Sequence, residues 1–494
     1  MPTVTEPVVQ TKEGRLRGHG TKQAYRFLGI PYAAPPDKAG WFAAPVRHEP
    51  WDGVREAASY GATAPQPDRG VTIIPEPLVA GENCLNLNVF TPELGQARLP
   101  VLVWIHGGGF FGGCNASPWY VGTSFARDGI VLVSVNYRLG AQGFLLLGDA
   151  PANRGVLDWV TALEWVQDNI GAFGGDPSRV TIAGQSAGGA ACATLLAVPR
   201  ARGLFRGAVC MSGSVGMELS LETAAEVARL TAGELGIEEN RDAFEQVPSG
   251  TLVAAQQAVM ERRRPSGETP EALAAMIGRP SLAYAPVVDG EVVTERPLEV
   301  ASSARAREIA VMAGTTIHEF NMALTTADWV TREALRSALV GNGAPEALVN
   351  EYLRRHEAEP PQVIAGQVVT DRTFRVPAQQ LLGAVAAAGG SSYGYEFRWA
   401  PSEGRFAGIS VHCLDIPFAF DLLGAEGVRQ VAGDSPPKAL ADVLHGAFVS
   451  FVRELAPGWP PFDGLRHPLR ILGSDAVYTE EGPLALEIGM WAGK

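Results

Sequence analysis

The chain has 494 residues, 46% apolar and 19% charged, a core-forming composition that excludes extensive disorder. Its formal net charge of −13 repels phosphate backbones and anionic membrane surfaces, so a neutral small molecule is a more natural partner than nucleic acid or membrane. The opening MPTVTEPVVQTKEGRLRG lacks a basic segment followed by an apolar stretch, and no segment runs to about 18 apolar residues, so a cytoplasmic protein is expected.

In chain order, AYRFLGIPYAAPP and the loop-like surroundings of Trp41, Phe42 and Trp51 predict an N-terminal meander of short strands. LNLNVFTP, LPVLVWIHGG and IVLVSVNYR are apolar runs bounded by Pro, Gly or charge, which is how buried strands read. RGVLDWVTALEWVQDNIGAF has apolar residues at helical spacing, and VTIA follows as another strand. GLFRGAVCMSGS and REIAVMAGTT supply two more strands, separated by helical patterns from about 218 to 300; a second helical stretch covers about 325 to 388. SYGYEFRWA is a late strand and KALADVLHGAFVSFVREL an amphipathic helix. The alternation of strand and helix predicts a mostly parallel sheet covered on both faces, with the helical stretches as insertions that roof a pocket. Five cysteines at wide spacing (84, 114, 192, 210 and 413) include no C-x-x-C pair and no zinc spacing, so reduced thiols and no metal are expected.

The run VTIAGQSAGGAACATLLA places Ser186 between an apolar strand and a small-residue helix, with Gly184 and Gly188 on either side, the arrangement of a nucleophile elbow. An ordinary loop serine is the rival reading. Gly390-Ser391-Ser392-Tyr393-Gly394 satisfies the same G-x-S-x-G pattern, but there helix precedes strand, so Ser392 reads as part of a helix-to-strand loop. Acyl transfer by serine also needs a base, an orienting carboxylate and oxyanion donors. His106-Gly107-Gly108-Gly109-Phe110 follows the strand VLVWI, and its glycines let N–H groups approach a developing charge; Gly108, Gly109 and Ala187 are the candidate donors. With the order nucleophile, acid, histidine, the candidate bases are His318, His356, His412, His445 and His467. His412, in a loop after YEFRWA, is favoured over residues in helices or in a Pro-flanked turn, although a buried structural histidine fits the same pattern. Glu319 emerges after a strand and is the candidate acid; Asp415 is too near His412 in sequence, and Asp176 precedes the serine.

With these pieces assembled, the chain resembles the type-B carboxylesterases of the α/β-hydrolase fold, a family that includes bacterial p-nitrobenzyl esterases, vertebrate carboxylesterases and cholinesterases. FLGIPYAAPP, GENCLNLNVFTP, HGGGF and NRGVLDWVTALEWVQDNIGAFGGDPSRVTIAGQSAGG carry the resemblance over nearly the whole length. It implies a single α/β-hydrolase domain over residues 1–494, Ser186 as nucleophile, Glu319 as acid, His412 as base, and an oxyanion hole from Gly108, Gly109 and Ala187. Four departures stand out. Ala64 replaces a cysteine that in the family pairs with the one matching Cys84. Gln185 replaces a frequent glutamate, His318 a common aspartate, and nothing aromatic between Asp68 and Cys84 matches the choline-binding tryptophan.

The expected activity is hydrolysis of carboxylic esters of neutral small molecules, with water as co-substrate and no cofactor. Phe110, Phe111, Trp119, Tyr120 and Phe320 are candidates to line the substrate pocket. VHCLDIPFAF is similar to its counterpart in bacterial phenylcarbamate hydrolases of the family, which makes aryl carbamate cleavage the alternative. The competing class is an inactive interaction protein resembling neuroligins. Those generally lack the serine and are exported and membrane-anchored, whereas this chain keeps Ser186, Glu319 and His412.

Overall fold

The apolar runs become strands because their branched and aromatic side chains can be buried on both faces of one sheet. The computed structural model describes residues 6–21, 24–70, 72–278, 282–473 and 476–491, so residues 1–5 of the opening stretch lie outside it. Its strands are β1 (Val8–Gln10), β2 (Arg15–Arg17), β3 (His19–Gly20), β4 (Tyr25–Pro31), β5 (Val54–Glu56), β6 (Asn86–Thr91), β7 (Gly95–Ile105), β8 (Val131–Val135), β9 (Phe173–Gln185), β10 (Gly207–Met211), β11 (Ala310–Thr316), β12 (Ser392–Phe397), β13 (Pro468–Leu472) and β14 (Val477–Glu481). Among the described residues, β1, β2 and β5 form a small sheet and the other eleven strands one large sheet, ordered β14-β13-β12-β11-β10-β9-β7-β8-β6-β4-β3. Every pairing from β8 across to β13 is parallel, and both flanks are antiparallel, so the sheet is mostly parallel as expected.

Side-chain alternation along β7 divides the interior. Val101, Val103 and Ile105 pack in one core with helices Arg154–Asn169 and Ala187–Leu195, while Leu102 and Trp104 face a second core that contains Leu444, Phe448 and Val452 of helix Lys438–Glu454. Each such side chain contributes about 1.5–3 kcal/mol by leaving water. The helical stretches fill the gaps between β10 and β11 and between β11 and β12, and they share a third core. Leu273 and Ile277 of the first meet Leu335, Leu339, Val349 and Ile364 of the second there.

From β7 the chain moves to β8 on one side and returns as β9 on the other. β7 and β9 are neighbours, with Ile105 opposite Gly184, so the segments leaving both strands emerge side by side at the switch point where open α/β sheets bind ligands. Among the described residues, no helix is long and apolar enough to cross a membrane.

Candidate active site

Ser186 joins β9 directly to helix Ala187–Leu195 and holds φ 58° and ψ −123°, a conformation that L residues adopt at a cost. Two contacts explain the flanking glycines. A Cβ on Gly184 would sit 2.3 Å from Gly188 O, and one on Gly188 would sit 2.0 Å from Ile105 O, so larger residues would push the turn off β7. Ser186 N–H donates to Met211 O at 2.8 Å, which ties the turn to β10. Ser392, in the second sequence match, is buried as the first residue of β12 rather than in the preceding loop, and its hydroxyl donates to Leu382 O at 2.9 Å.

Glu319 follows β11 and His412 follows β12, which brings two residues far apart in sequence together beyond the carboxyl ends of neighbouring parallel strands. Glu319 Oε2 lies 2.5 Å from His412 Nδ1, and Oε1 accepts from Thr316 N–H at 2.8 Å, so both carboxylate oxygens are engaged in a buried position. Burial works against a charged imidazole, but the Cys413 sulfur and the Glu319 carboxylate outweigh it, and the His412 pKa stands well above the ordinary histidine value. His318 fastens the two loops together: its N–H donates to Ser410 O at 3.2 Å and its Nδ1 accepts from Ser410 N–H at 3.0 Å. Gln185 Nε2 lies 3.1 Å from His412 Nε2. With Nδ1–H given to Glu319, Nε2 accepts from that amide; once Nε2 is protonated, the amide must turn and offer its oxygen. Asp415 does not orient the imidazole; its Oδ2 accepts from Tyr395 OH at 2.8 Å, and burial followed by the nearby Glu319 pushes its pKa up to about 7.

The glycine loop after β7 is wound tightly. Gly108 O accepts from Phe111 N–H at 3.2 Å and Gly112 N–H at 3.0 Å, while Gly108 and Gly109 hold φ values of 109° and 64°. His106 stays behind the loop, its ring stacked on Tyr137 at 4.5 Å and its pKa lowered by burial to about 4. Ser186, His412, Gly108, Gly109 and Ala187 all line one cavity of about 1110 Å³. Among the described residues, no group of three or more His, Cys, Asp or Glu side chains is arranged to hold a metal ion.

Of the five aromatic residues expected to line the pocket, Phe111 and Phe320 do so, and Phe320 remains 43% exposed. Phe110, Trp119 and Tyr120 require correction, since all three are buried core residues. Phe110 packs on Phe144 and Trp159, Trp119 donates its indole N–H to Glu426 O at 2.8 Å, and Tyr120 packs on Trp104 and Phe420. Sequence reading missed Phe374, which lines the cavity from the π-helical turn Asp371–Arg375 inside an otherwise α-helical run. Its ring stacks on Phe320 at 5.4 Å and 10°, and both rings lie against His412, at 4.8 Å for Phe320 and 5.1 Å for Phe374. Nothing in the spacing of DRTFRVP marks that extra residue per turn, although such turns are frequent at functional sites. Arg375 anchors it, bonding Asp371 Oδ1 at 2.5 Å and Glu396 Oε2 on β12 at 2.7 Å.

The profile of the carboxylesterase family matches residues 5–463. The chain is 32% identical over 502 residues to the para-nitrobenzyl esterase of Bacillus subtilis (strain 168), with 97% of each chain covered. It is 32% identical over 499 residues to the phenmedipham hydrolase of Pseudarthrobacter oxydans, with 96% of each covered. Among solved structures, a carboxylesterase of Geobacillus stearothermophilus matches with a TM-score of 0.85 at 33% identity, covering 98% of this chain and 99% of that one.

Proposed function

Because the chain belongs to the carboxylesterase family and is a carboxylic ester hydrolase, we propose that it works through an acyl-enzyme on Ser186, with His412 as base, Glu319 as its orienting acid, and an oxyanion hole from the N–H groups of Gly108, Gly109 and Ala187. The observation that carries this reading is the opening of the strained Ser186 and the Glu319-bound His412 onto one cavity with those three residues.

His412 Nε2, giving up its bond to the Gln185 amide, takes the hydroxyl proton as Ser186 Oγ attacks the carbonyl carbon, and the resulting oxyanion is held by the three N–H groups. Collapse expels the alcohol, which leaves with the proton from His412. Water then attacks the acyl-enzyme, His412 accepts its proton and returns it to Ser186 Oγ, and the carboxylic acid departs. Glu319 keeps Nδ1 protonated so that Nε2 faces the serine, and it stabilises the imidazolium that forms in each step. We place the enzyme in the cytoplasm and its substrates among neutral esters; the five free cysteines, including Cys84, suit a reducing compartment.

A second reading, aryl carbamate hydrolysis by the same residues, is favoured by the stacked Phe320 and Phe374 beside His412, a flat apolar platform for an aryl group. The likeness to a phenmedipham hydrolase adds to it. The test is kcat/KM for p-nitrophenyl butyrate and for an aryl N-methylcarbamate, with Ser186→Ala in parallel. Serine-dependent ester turnover with little carbamate cleavage supports the first reading, and comparable carbamate turnover the second. Activity that survives Ser186→Ala overturns the assignment of the nucleophile.

A further inference from the structure

We propose that Gln66 is a positioning residue for ester hydrolysis, clamping the glycine loop from behind so that the Gly108 and Gly109 N–H groups stay aimed at the oxyanion; this rests on the reading of those groups as its donors. Gln66 lies on an excursion between β5 and β6 that is closed at its base by Thr63 and Val79, whose backbones pair at 2.9 Å. Its amide grips one residue with both ends. Oε1 accepts from Gly113 N–H at 2.8 Å, and Nε2 donates to Gly113 O at 3.0 Å. A carboxylate can only accept and an ammonium can only donate, so a primary amide is the side-chain end that satisfies both groups.

Gly113 is mechanically joined to the proposed donors. A Cβ there would lie 2.4 Å from Gly107 O, and a Cβ on Gly108 would lie 2.1 Å from Gly112 O, so the two ends of the loop touch backbone to backbone. Phe111 and Gly112 N–H both return to Gly108 O. With backbones this close, a displacement of Gly113 toward Gly107 presses directly on the Gly107–Gly108 segment. Arg69, three residues beyond Gln66, braces the same loop: a Cβ on Gly112 would fall 2.8 Å from its Cζ, its guanidinium lies 5.3 Å from the Phe111 ring, and Glu76 pairs with it. Cys84, where this excursion rejoins the sheet, is a free thiol, so no disulfide through it shares the work.

The rival reading is that Gln66 merely fastens its own excursion to the body of the protein. The two separate by experiment, because the oxyanion is common to every ester while a loop tether affects stability alone. Gln66→Met removes both hydrogen bonds at nearly constant volume, and Gln66→Glu keeps the acceptor but sets a carboxylate against Gly113 O. Both are assayed with p-nitrophenyl acetate and butyrate, normalised to serines titrated by an organophosphate, and with a trifluoromethyl ketone whose serine adduct carries the oxyanion.

A misplacement of about an ångström costs on the order of a hundredfold, so we expect kcat to fall about ten- to a hundredfold for both variants. The factor should be the same for the two esters, be matched by weaker ketone binding, and leave KM and the acid limb of the pH profile in place. Unchanged kcat and ketone affinity per titrated serine, even with a lowered melting temperature, overturn the proposal. A loss confined to KM, or one that differs between acetate and butyrate, overturns it as well. If Gln66→Met does not fold, Gln66→Glu decides alone. Activity that survives Ser186→Ala would instead sink the parent reading of the site.

Discussion

Gly213 belongs to no catalytic motif, yet it follows β10 directly behind the nucleophile. A Cβ at this position would lie 2.0 Å from Ser186 O and 3.1 Å from Ser186 Cα, whereas ordinary contact begins at 3.4 Å. The first distance is more than an ångström too short, and the obstruction is backbone with no rotamer to move. In Gly213→Ala the turn that carries Ser186 must therefore shift by about an ångström, which predicts a loss of roughly a hundredfold in kcat/KM, or about 2.7 kcal/mol of transition-state stabilisation. The overpacking itself should cost about 1–3 kcal/mol of stability, which leaves a folded protein to assay. The measurement is kcat/KM for p-nitrophenyl butyrate per titrated serine, beside a melting curve. Gly446→Ala is the control: among the described residues, nothing beyond its own stretch of helix lies within 4 Å of a Cβ placed there, on an exposed face of helix Lys438–Glu454. It should keep full activity and gain about 0.5–1 kcal/mol from helix propensity. A Gly213→Ala enzyme within about threefold of the parent, less than 1 kcal/mol, would refute the view that the turn's position limits the rate.

Ser186→Gly and Ser186→Ala should both be inactive, but the glycine variant should be more stable by about 1 kcal/mol, because it relieves the φ of 58° that alanine retains; equal unfolding free energies in urea would show that the turn stores no strain. The His412 pKa is raised, so imidazolium persists above the ordinary 6.5 and cannot act as base, and kcat/KM should fall with an acid-limb midpoint above that value. Gln185→Glu places a carboxylate beside Nε2 and should move that midpoint up by about one further pH unit; an unmoved profile would mean the residue does not act on His412. Glu396→Ala leaves Arg375 and Arg398 without their shared carboxylate and should cost about 3–5 kcal/mol in chemical denaturation. Burial raises the Glu396 pKa, but the two guanidinium groups bring it below 4.5, so its contribution is present above that pH and lost as the pH falls through the folded value. Acid unfolding of the variant should therefore be shallower, and a curve parallel to the parent's would count against the ion network.

Local chemistry and periodicity were legible in the residues alone. Continuous apolar runs mark strands buried on both faces, and VTIAGQSAGG carries the small residues without which Ser186 could not hold its φ. The order of Glu319 and His412, each in the segment that follows a strand, was legible because parallel strands deliver such residues to the carboxyl end of the sheet. Facing was not legible. Phe110 and Phe111 are adjacent, yet one packs on Phe144 and Trp159 and the other lines the cavity; Trp119 and Tyr120, close by in sequence, belong to the core beside Phe420. Phe374 reaches His412 through a π-helical turn anchored by Glu396 on a different element, and Gln66 reaches Gly113 across 47 positions. Those placements are set by which backbones pack against each other, and the direction of a side chain from a packed loop or an underwound, π-helical turn depends on partners that no local pattern of residues names.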